Sequence, residues 1–294
     1  LIVIPDDFTY YAPSSLPEVW ELLRRHEGDA KILAGGQSLI PLMKLRLANP
    51  AYLIDLRNVP GLKALNEQDG ALVIGAMVTE TALENSPLIR QRYPGIYEAS
   101  TVVADPLVRN FATVGGNVAH ADPANDHPAM LLALRAQVTI QGSHGTRTMS
   151  LDDFLVDTLE TALQGDEVLT DIRVPRPLPH TGSAYLKLER KVGDYAIAAV
   201  GVLVTLADGV CSRAGIGLTN VGPKAIRASQ AEAYLLGKQP DEATVREAAR
   251  LAADAAEPTT DLHGPAEYKR SMVRTLTARA LRLAVQRAEA GGVQ

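Results

Sequence analysis

The run "VPRPLP" (residues 174–179) sets the tightest limit on how this chain can fold. Proline has no backbone N–H to give and a ring that fixes φ, so three prolines in six residues end a strand and forbid a helix. At 294 residues the chain exceeds one minimal domain. The proline run is its best boundary, which predicts one domain over 1–177 and a second over 178–294.

Upstream of the break, strand and helix signals alternate. "SSLPEVWELLRRHEG" offers Ser15 as a cap, Glu18 three residues later, Pro17 in the first turn and Gly28 as a stop. "AKIL" (30–33), "AYLIDLRNVPG" and "GALVIGAMVT" read as strands bounded by turn residues. "LIPLMKLRLA" suits a buried helix or turn, while 81–104 and "HPAMLLALRA" (127–136) read as helical. "EVLTDIRVP" is a strand that runs into the break.

Beyond the break, "SAYLKLERK" and "AAVGVLVTLADGVCSRAGIGLTNVG" hold three strand-like runs, the last two joined by the hairpin signal Asp208-Gly209. Val200, Val202, Val204 and Leu206 alternate as in a strand covered on one face only. After Lys224 the pattern is helical, ending in a basic helix from about Pro265 to Ala290. The class is therefore α+β, with a small antiparallel sheet covered by helices in the second unit. Aromatic residues make up only 4 %, so the cores must rest on Ala, Leu, Val and Ile.

A net charge of −5 argues against a general nucleic-acid binder, which would carry a basic excess. Cys211 is the only cysteine, so no disulfide forms within the chain and no iron–sulfur cluster is ligated by it alone. No apolar run approaches the roughly 20 residues that cross a bilayer. "LIVIPDDF" is too short and too soon acidic for a signal peptide, so a cytoplasmic location is expected. The absent initiator Met leaves room for a few residues ahead of Leu1.

Two segments share one chemistry: "LAGGQSL" (33–39) and "TVGGNVA" (113–119). Each sets a Gly pair beside small hydrogen-bonding side chains, Gln37 and Ser38 in one, Thr113 and Asn117 in the other. Glycine lets backbone approach a ligand, and consecutive N–H groups can converge on an anion without Lys or Arg. Two such loops predict a diphosphate cradle, although a Gly pair also serves as a plain turn. Neither segment is a GxGxxG or a GxxxxGK[ST]. His120, Asp122, Asp126 and His127 raise the idea of a metal site, but Pro123 and Pro128 break the run and no HExxH-like spacing occurs, so no metal is expected. Asp126 also suits the cap of a helix starting at His127. No GxSxG elbow is present, and no catalytic nucleophile is expected.

"AGGQSLIPLMKLRLA", "TVGGNVAHADPANDHPA", "LKLERKVGDYA" and "IGLTNVG", in that order, closely resemble the FAD-binding medium subunits of the molybdenum hydroxylases, the xanthine dehydrogenase family. Within that family they resemble the aerobic carbon monoxide dehydrogenases. The resemblance runs from the N-terminus through "GPAEYKR" (264–270). It implies a two-lobed FAD domain followed by a domain of antiparallel strands and helices. It places the FAD diphosphate on Ala34, Gly35, Gly36, Gln37 and Ser38 and on Thr113, Val114, Gly115, Gly116 and Asn117. It sets Asp126 against the nucleotide part of FAD, Leu169 and Lys187 along the flavin, and Tyr195 over the isoalloxazine ring. Gln37 stands where the best-known carbon monoxide dehydrogenases have His; Gln is common there in the wider family, so these motifs fix cofactor more firmly than substrate.

The resemblance further implies partners: a small subunit with two [2Fe–2S] clusters and a large molybdopterin subunit, as a dimer of heterotrimers, with a quinone or NAD as external acceptor. Such a complex could sit at the inner face of the membrane. This chain would take electrons from the iron–sulfur subunit and pass them on. The rival readings are the same subunit in an N-heterocycle, nicotine, xanthine or aldehyde hydroxylase, and an assembly module that holds FAD without turnover.

Overall fold

The computed structural model describes residues 4–291; the first residues of "LIVIPDDF" and the end of the second unit lie outside them. The first lobe is a parallel sheet of β1 (Thr9–Tyr11), β3 (Tyr52–Asp55) and β2 (Ala30–Leu33), in that spatial order. Between β1 and β2 runs α1 (Leu16–Arg25), whose cap Ser15 accepts from the Glu18 N–H, as its sequence predicts. Its Val19 and Leu23, one turn apart, pack with Ile54 of β3 in one core. Parallel strands need a crossover. The link from β2 to β3 carries "AGGQS" and then α2 (Leu39–Lys44), which puts the first glycine segment at the carboxyl end of a parallel strand. Open sheets bind ligands at such ends.

The second lobe is an antiparallel sheet in the order β4 (Leu65–Gln68), β5 (Ala71–Gly75), β10 (Val168–Pro175), β6 (Gln137–Gly142), β7 (Gly145–Ser150). From β5 the chain makes α3 (Glu80–Glu84), α4 (Pro87–Arg92), α5 (Pro94–Thr101), α6 (Pro106–Arg109), α7 (Val114–His120) and α8 (Asp126–Ala133) before it returns to β6. Between β7 and β10 lie α9 (Leu151–Phe154) and a small hairpin of β8 (Leu155–Asp157) and β9 (Glu160–Thr161).

Past the prolines, β11 (Thr181–Glu189), β12 (Ala196–Ala207), β13 (Val210–Thr219) and β14 (Ile226–Arg227) form one antiparallel sheet. Asp208 and Gly209 both take positive φ in the β12–β13 turn, the backbone such a two-residue hairpin demands. Val200, Val202 and Val204 face a core shared with α10 (Ser229–Leu235), α11 (Glu242–Asp254) and α12 (Ala266–Glu289).

The expectation of a strand covered on one face fails, because α8 lies on the other face. A Cβ on Gly217 would stand 1.9 Å from the Ala129 carbonyl oxygen, one on Gly215 1.9 Å from that of Ala133, and one on Gly201 2.6 Å from the Met130 Cα. Three glycines thus make a floor on which α8 sits with its backbone against the sheet.

Cys211 on β13 is 1 % exposed, its Sγ donates to the Arg213 carbonyl at 3.3 Å, and burial pushes its thiol up to about 11. We expect a thiol reagent to label the native chain about a hundredfold more slowly than the urea-unfolded chain. Comparable rates in the two states would show that this sheet opens readily.

Candidate functional site

The first glycine segment is an open nest. Gly36 takes φ +75°, and a Cβ on Gly35 would lie 2.1 Å from the Phe111 carbonyl oxygen, so the loop rests on the backbone that leads into the second segment. Among the described residues the N–H groups of Gly35, Gly36, Gln37 and Ser38 meet no protein acceptor. The Gln37 amide bends back to the Gly35 carbonyl at 3.3 Å, and Ser38 stands at the start of α2 with no side-chain cap bond. Ala34 faces the second segment, 3.6 Å from where a Gly116 Cβ would be. Consecutive unpaired amides beside a positive-φ glycine form an anion-binding concavity.

The second segment differs from the expected loop: it is the cap and first turn of α7. The Thr113 hydroxyl accepts from the Gly116 N–H at 3.1 Å, and the Asn117 N–H donates to the Thr113 carbonyl at 2.9 Å. Val114 and Gly115 donate to the carbonyls of Val78 (3.0 Å) and Ala76 (3.1 Å). These amides are taken, and the Val114 side chain is fully buried. Gly115 is required by close approach, since its Cβ would fall 2.6 Å from the Ala76 carbonyl oxygen. What the segment offers is the Thr113 hydroxyl proton and the Asn117 side chain, whose Oδ1 is buried without a partner.

Asp126 is the first residue of α8, with Asn125 at the cap position, so it does not cap the helix as expected. Its carboxylate accepts from the Tyr185 hydroxyl at 2.6 Å and from Lys187 Nζ at 3.1 Å. Lys187 is buried, its side chain 3 % exposed; it also donates to the Val102 carbonyl at 2.9 Å and lies 3.3 Å from Glu189. Two of its three protons thus have acceptors, while Glu189 Oε2 is an ion-pair neighbour that is itself buried without a hydrogen-bond partner. Asp126 and Lys187 thus form one pair, so a cofactor reaching both would meet them at a single point, not at its two ends. Burial raises the Asp126 carboxyl above the ordinary range, against the opposing pull of Lys187 and Tyr185.

Leu169 lies on β10, 4 % exposed, with its side chain enclosed in the core of the second lobe. Tyr195 is the opposite case, 52 % exposed on the turn before β12. Partial desolvation and the nearby charges of Asp122 and Asp126 raise its pKa further above the neutral range.

Sequence reasoning missed Glu80 and Tyr185. Glu80 opens α3 and reaches His127 on α8, Oε2 to Nε2 at 2.5 Å, with both side chains fully buried. Burial opposes the charge on His127, but Glu80 and then Asp126 outweigh it and raise the imidazole pKa. The one sequence signal was His127 itself, a polar residue opening an apolar helix. His127 is held by Glu80 and Asp126 by Lys187 and Tyr185, and among the described residues no group of three or more His, Cys, Asp or Glu is placed to hold a metal ion.

Residues 6–177 match the family described as the FAD binding domain in molybdopterin dehydrogenase, and 183–284 the CO dehydrogenase flavoprotein C-terminal domain. The carbon monoxide dehydrogenase medium chain of Hydrogenophaga pseudoflava is 44 % identical over 286 residues, 96 % of this chain and 98 % of that one. That of Afipia carboxidovorans is 41 % identical over 287 residues, 98 % of this chain and all of that one. A solved structure of carbon monoxide dehydrogenase from Hydrogenophaga pseudoflava, lacking the Mo-pyranopterin moiety of its cofactor, superposes with TM-score 0.94 at 45 % identity, covering 97 % of this chain and 99 % of that one. With both halves matched in order and close relatives of the same length, the chain belongs to the family of FAD-binding medium chains of the molybdenum hydroxylases.

Proposed function

We propose that this chain is the flavin subunit of a carbon monoxide dehydrogenase-type complex, with residues 1–177 carrying most of the cofactor contacts and 178–294 closing the site. One observation carries the reading: among the described residues four consecutive amides, Gly35 to Ser38, have no protein acceptor, on a loop whose Gly35 lies too close to the Phe111 backbone to carry a Cβ. That cradle fits a diphosphate, and the orphaned Asn117 Oδ1 fits a donor on the same ligand. Ala34 and Gly116 keep the two segments close, the Thr113 hydroxyl would donate a hydrogen bond to a bound diphosphate, and Val114 and Gly115 would serve as wall. Tyr195 has the exposure and neutrality of a cover for an aromatic ring.

FAD, when bound, can take electrons one at a time and release two together. The chain's own part is to bind the diphosphate without a Lys or Arg, exclude water at Tyr195, and present the flavin to its partners. Phe111, whose carbonyl floors Gly35, is exposed, as are Leu107 on α6 and Leu45 and Leu47 just after α2. Exposed apolar side chains of this kind suit a partner subunit. We assign it to a small [2Fe–2S] subunit that supplies electrons taken from substrate by a large molybdopterin subunit, in a dimer of heterotrimers, with a quinone or NAD as acceptor. Among the described residues no helix is long and apolar enough to cross a membrane.

The test is the visible spectrum after incubation with FAD and desalting, for the full chain alone and for the chain co-expressed with its partners. A retained, protein-perturbed flavin band is expected at least in the complex. A complex without flavin would end both the cradle and the electron-transfer reading.

A further inference from the structure

We propose that Glu80 and His127 are a positioning pair for the flavin site, an inference that rests on the function proposed for that site. The pair joins the two walls of the site. On one side the Glu80 N–H donates to the Ala112 carbonyl at 3.0 Å, and Thr79 pairs with Thr113 across an isolated bridge. The carbonyls just before it, Ala76 and Val78, hold the amides of Gly115 and Val114. On the other side His127 follows Asp126, which is bound to Tyr185 and Lys187 of β11. The ion pair therefore fixes the cap of α7, carrying Thr113 and Asn117, against α8 and the second domain.

Stability alone does not account for a charged pair here. Glu80 Oε1 and His127 Nδ1 are both buried without a partner, so the pair is only half satisfied. Apolar residues of similar volume often replace a buried ion pair at no loss of stability, whereas a directional bond of 2.5 Å specifies one register between two helices. Neither group touches the nest at Gly35–Ser38, so their action on a ligand there passes through Thr113–Asn117.

The experiment uses the full chain without flavin and with FAD as titrant. His127→Leu is expected to speed hydrogen exchange at the Val114 and Gly115 amides about tenfold or more, while amides of β12 exchange at the wild-type rate. The same variant is expected to weaken FAD binding about tenfold. His127→Gln, which keeps a donor toward Glu80, should restore both to within about threefold, a rescue that a mere packing role does not give. Wild-type exchange at Val114 and Gly115 in His127→Leu overturns the proposal. If His127→Leu does not fold, Glu80→Leu is read by the same two measurements. If the wild-type chain binds no FAD alone, the titration is made on the co-expressed complex, where a wild type without FAD would defeat the proposed function, and the exchange result would still decide the pair. Unchanged exchange with intact FAD binding would defeat the pair and leave the function standing.

Discussion

Replacing Gly35 by alanine is expected to weaken FAD binding about a hundredfold, roughly 2.7 kcal/mol, in a chain that still folds. The added Cβ would stand 2.1 Å from the Phe111 carbonyl oxygen and 2.9 Å from the Ala112 Cα. Both neighbours are backbone, so no side-chain rotation relieves the contact. The loop must lift off Phe111–Ala112, and its four unpaired amides then separate from Thr113 and Asn117. The fold itself loses little, because those amides make no protein bond that the movement would break. Gly165→Ala is the control: its Cβ meets nothing nearer than Glu27 Oε1 at 4.0 Å, and FAD affinity should not change. Titration of FAD fluorescence against both variants decides the matter. A Gly35→Ala chain that binds like wild type would remove the glycine floor from the site.

That the first segment could be read from sequence and the second only in part has a physical reason. What a Gly-Gly pair permits is local: positive φ at Gly36 and close approach at Gly35 follow from the absence of side chains. Whether an amide is open to a ligand is not local. Those of Val114 and Gly115 are closed by carbonyls of Val78 and Ala76, set beside them by the return of the chain after β5. The same division holds elsewhere. The start of α1 and the Asp208-Gly209 turn were legible because cap and turn chemistry sit within a few residues. The covering of β12 was not, because Gly201, Gly215 and Gly217 add no apolar signal, and it is their emptiness that admits α8. Strands such as β4 ("LNEQ") and β7 ("GTRTMS") are polar edges held by pairing and carry little pattern of their own. The charged pairs were hidden most completely. Glu80 reads as a surface helix residue and Lys187 as an outward strand charge until His127 and Asp126 are brought against them.

Lys187→Met should therefore destabilise the chain by about 3–5 kcal/mol at pH 7, the usual cost of leaving one member of a buried ion pair uncompensated. Asp126 would keep only the Tyr185 hydroxyl, and the Val102 carbonyl would lose its donor. The dependence on pH follows from Asp126, whose folded pKa already lies above the ordinary value through burial, with Lys187 the first of the opposing influences. A carboxyl raised on folding favours the protonated native state, so its unfavourable contribution is full above the folded pKa and fades as pH falls through it toward the unfolded value. Removing Lys187 raises the carboxyl further, which widens that window upward. The deficit of Lys187→Met against wild type should thus shrink as pH is lowered from 7 in urea unfolding. Asp126→Asn in the same background should recover part of it at pH 7, because a neutral amide needs no counter-charge. A deficit that stays constant with pH would mean that the methionine costs packing, not charge. Full stability at pH 7 with an altered flavin spectrum would instead assign the lysine to the cofactor, as the family resemblance implies.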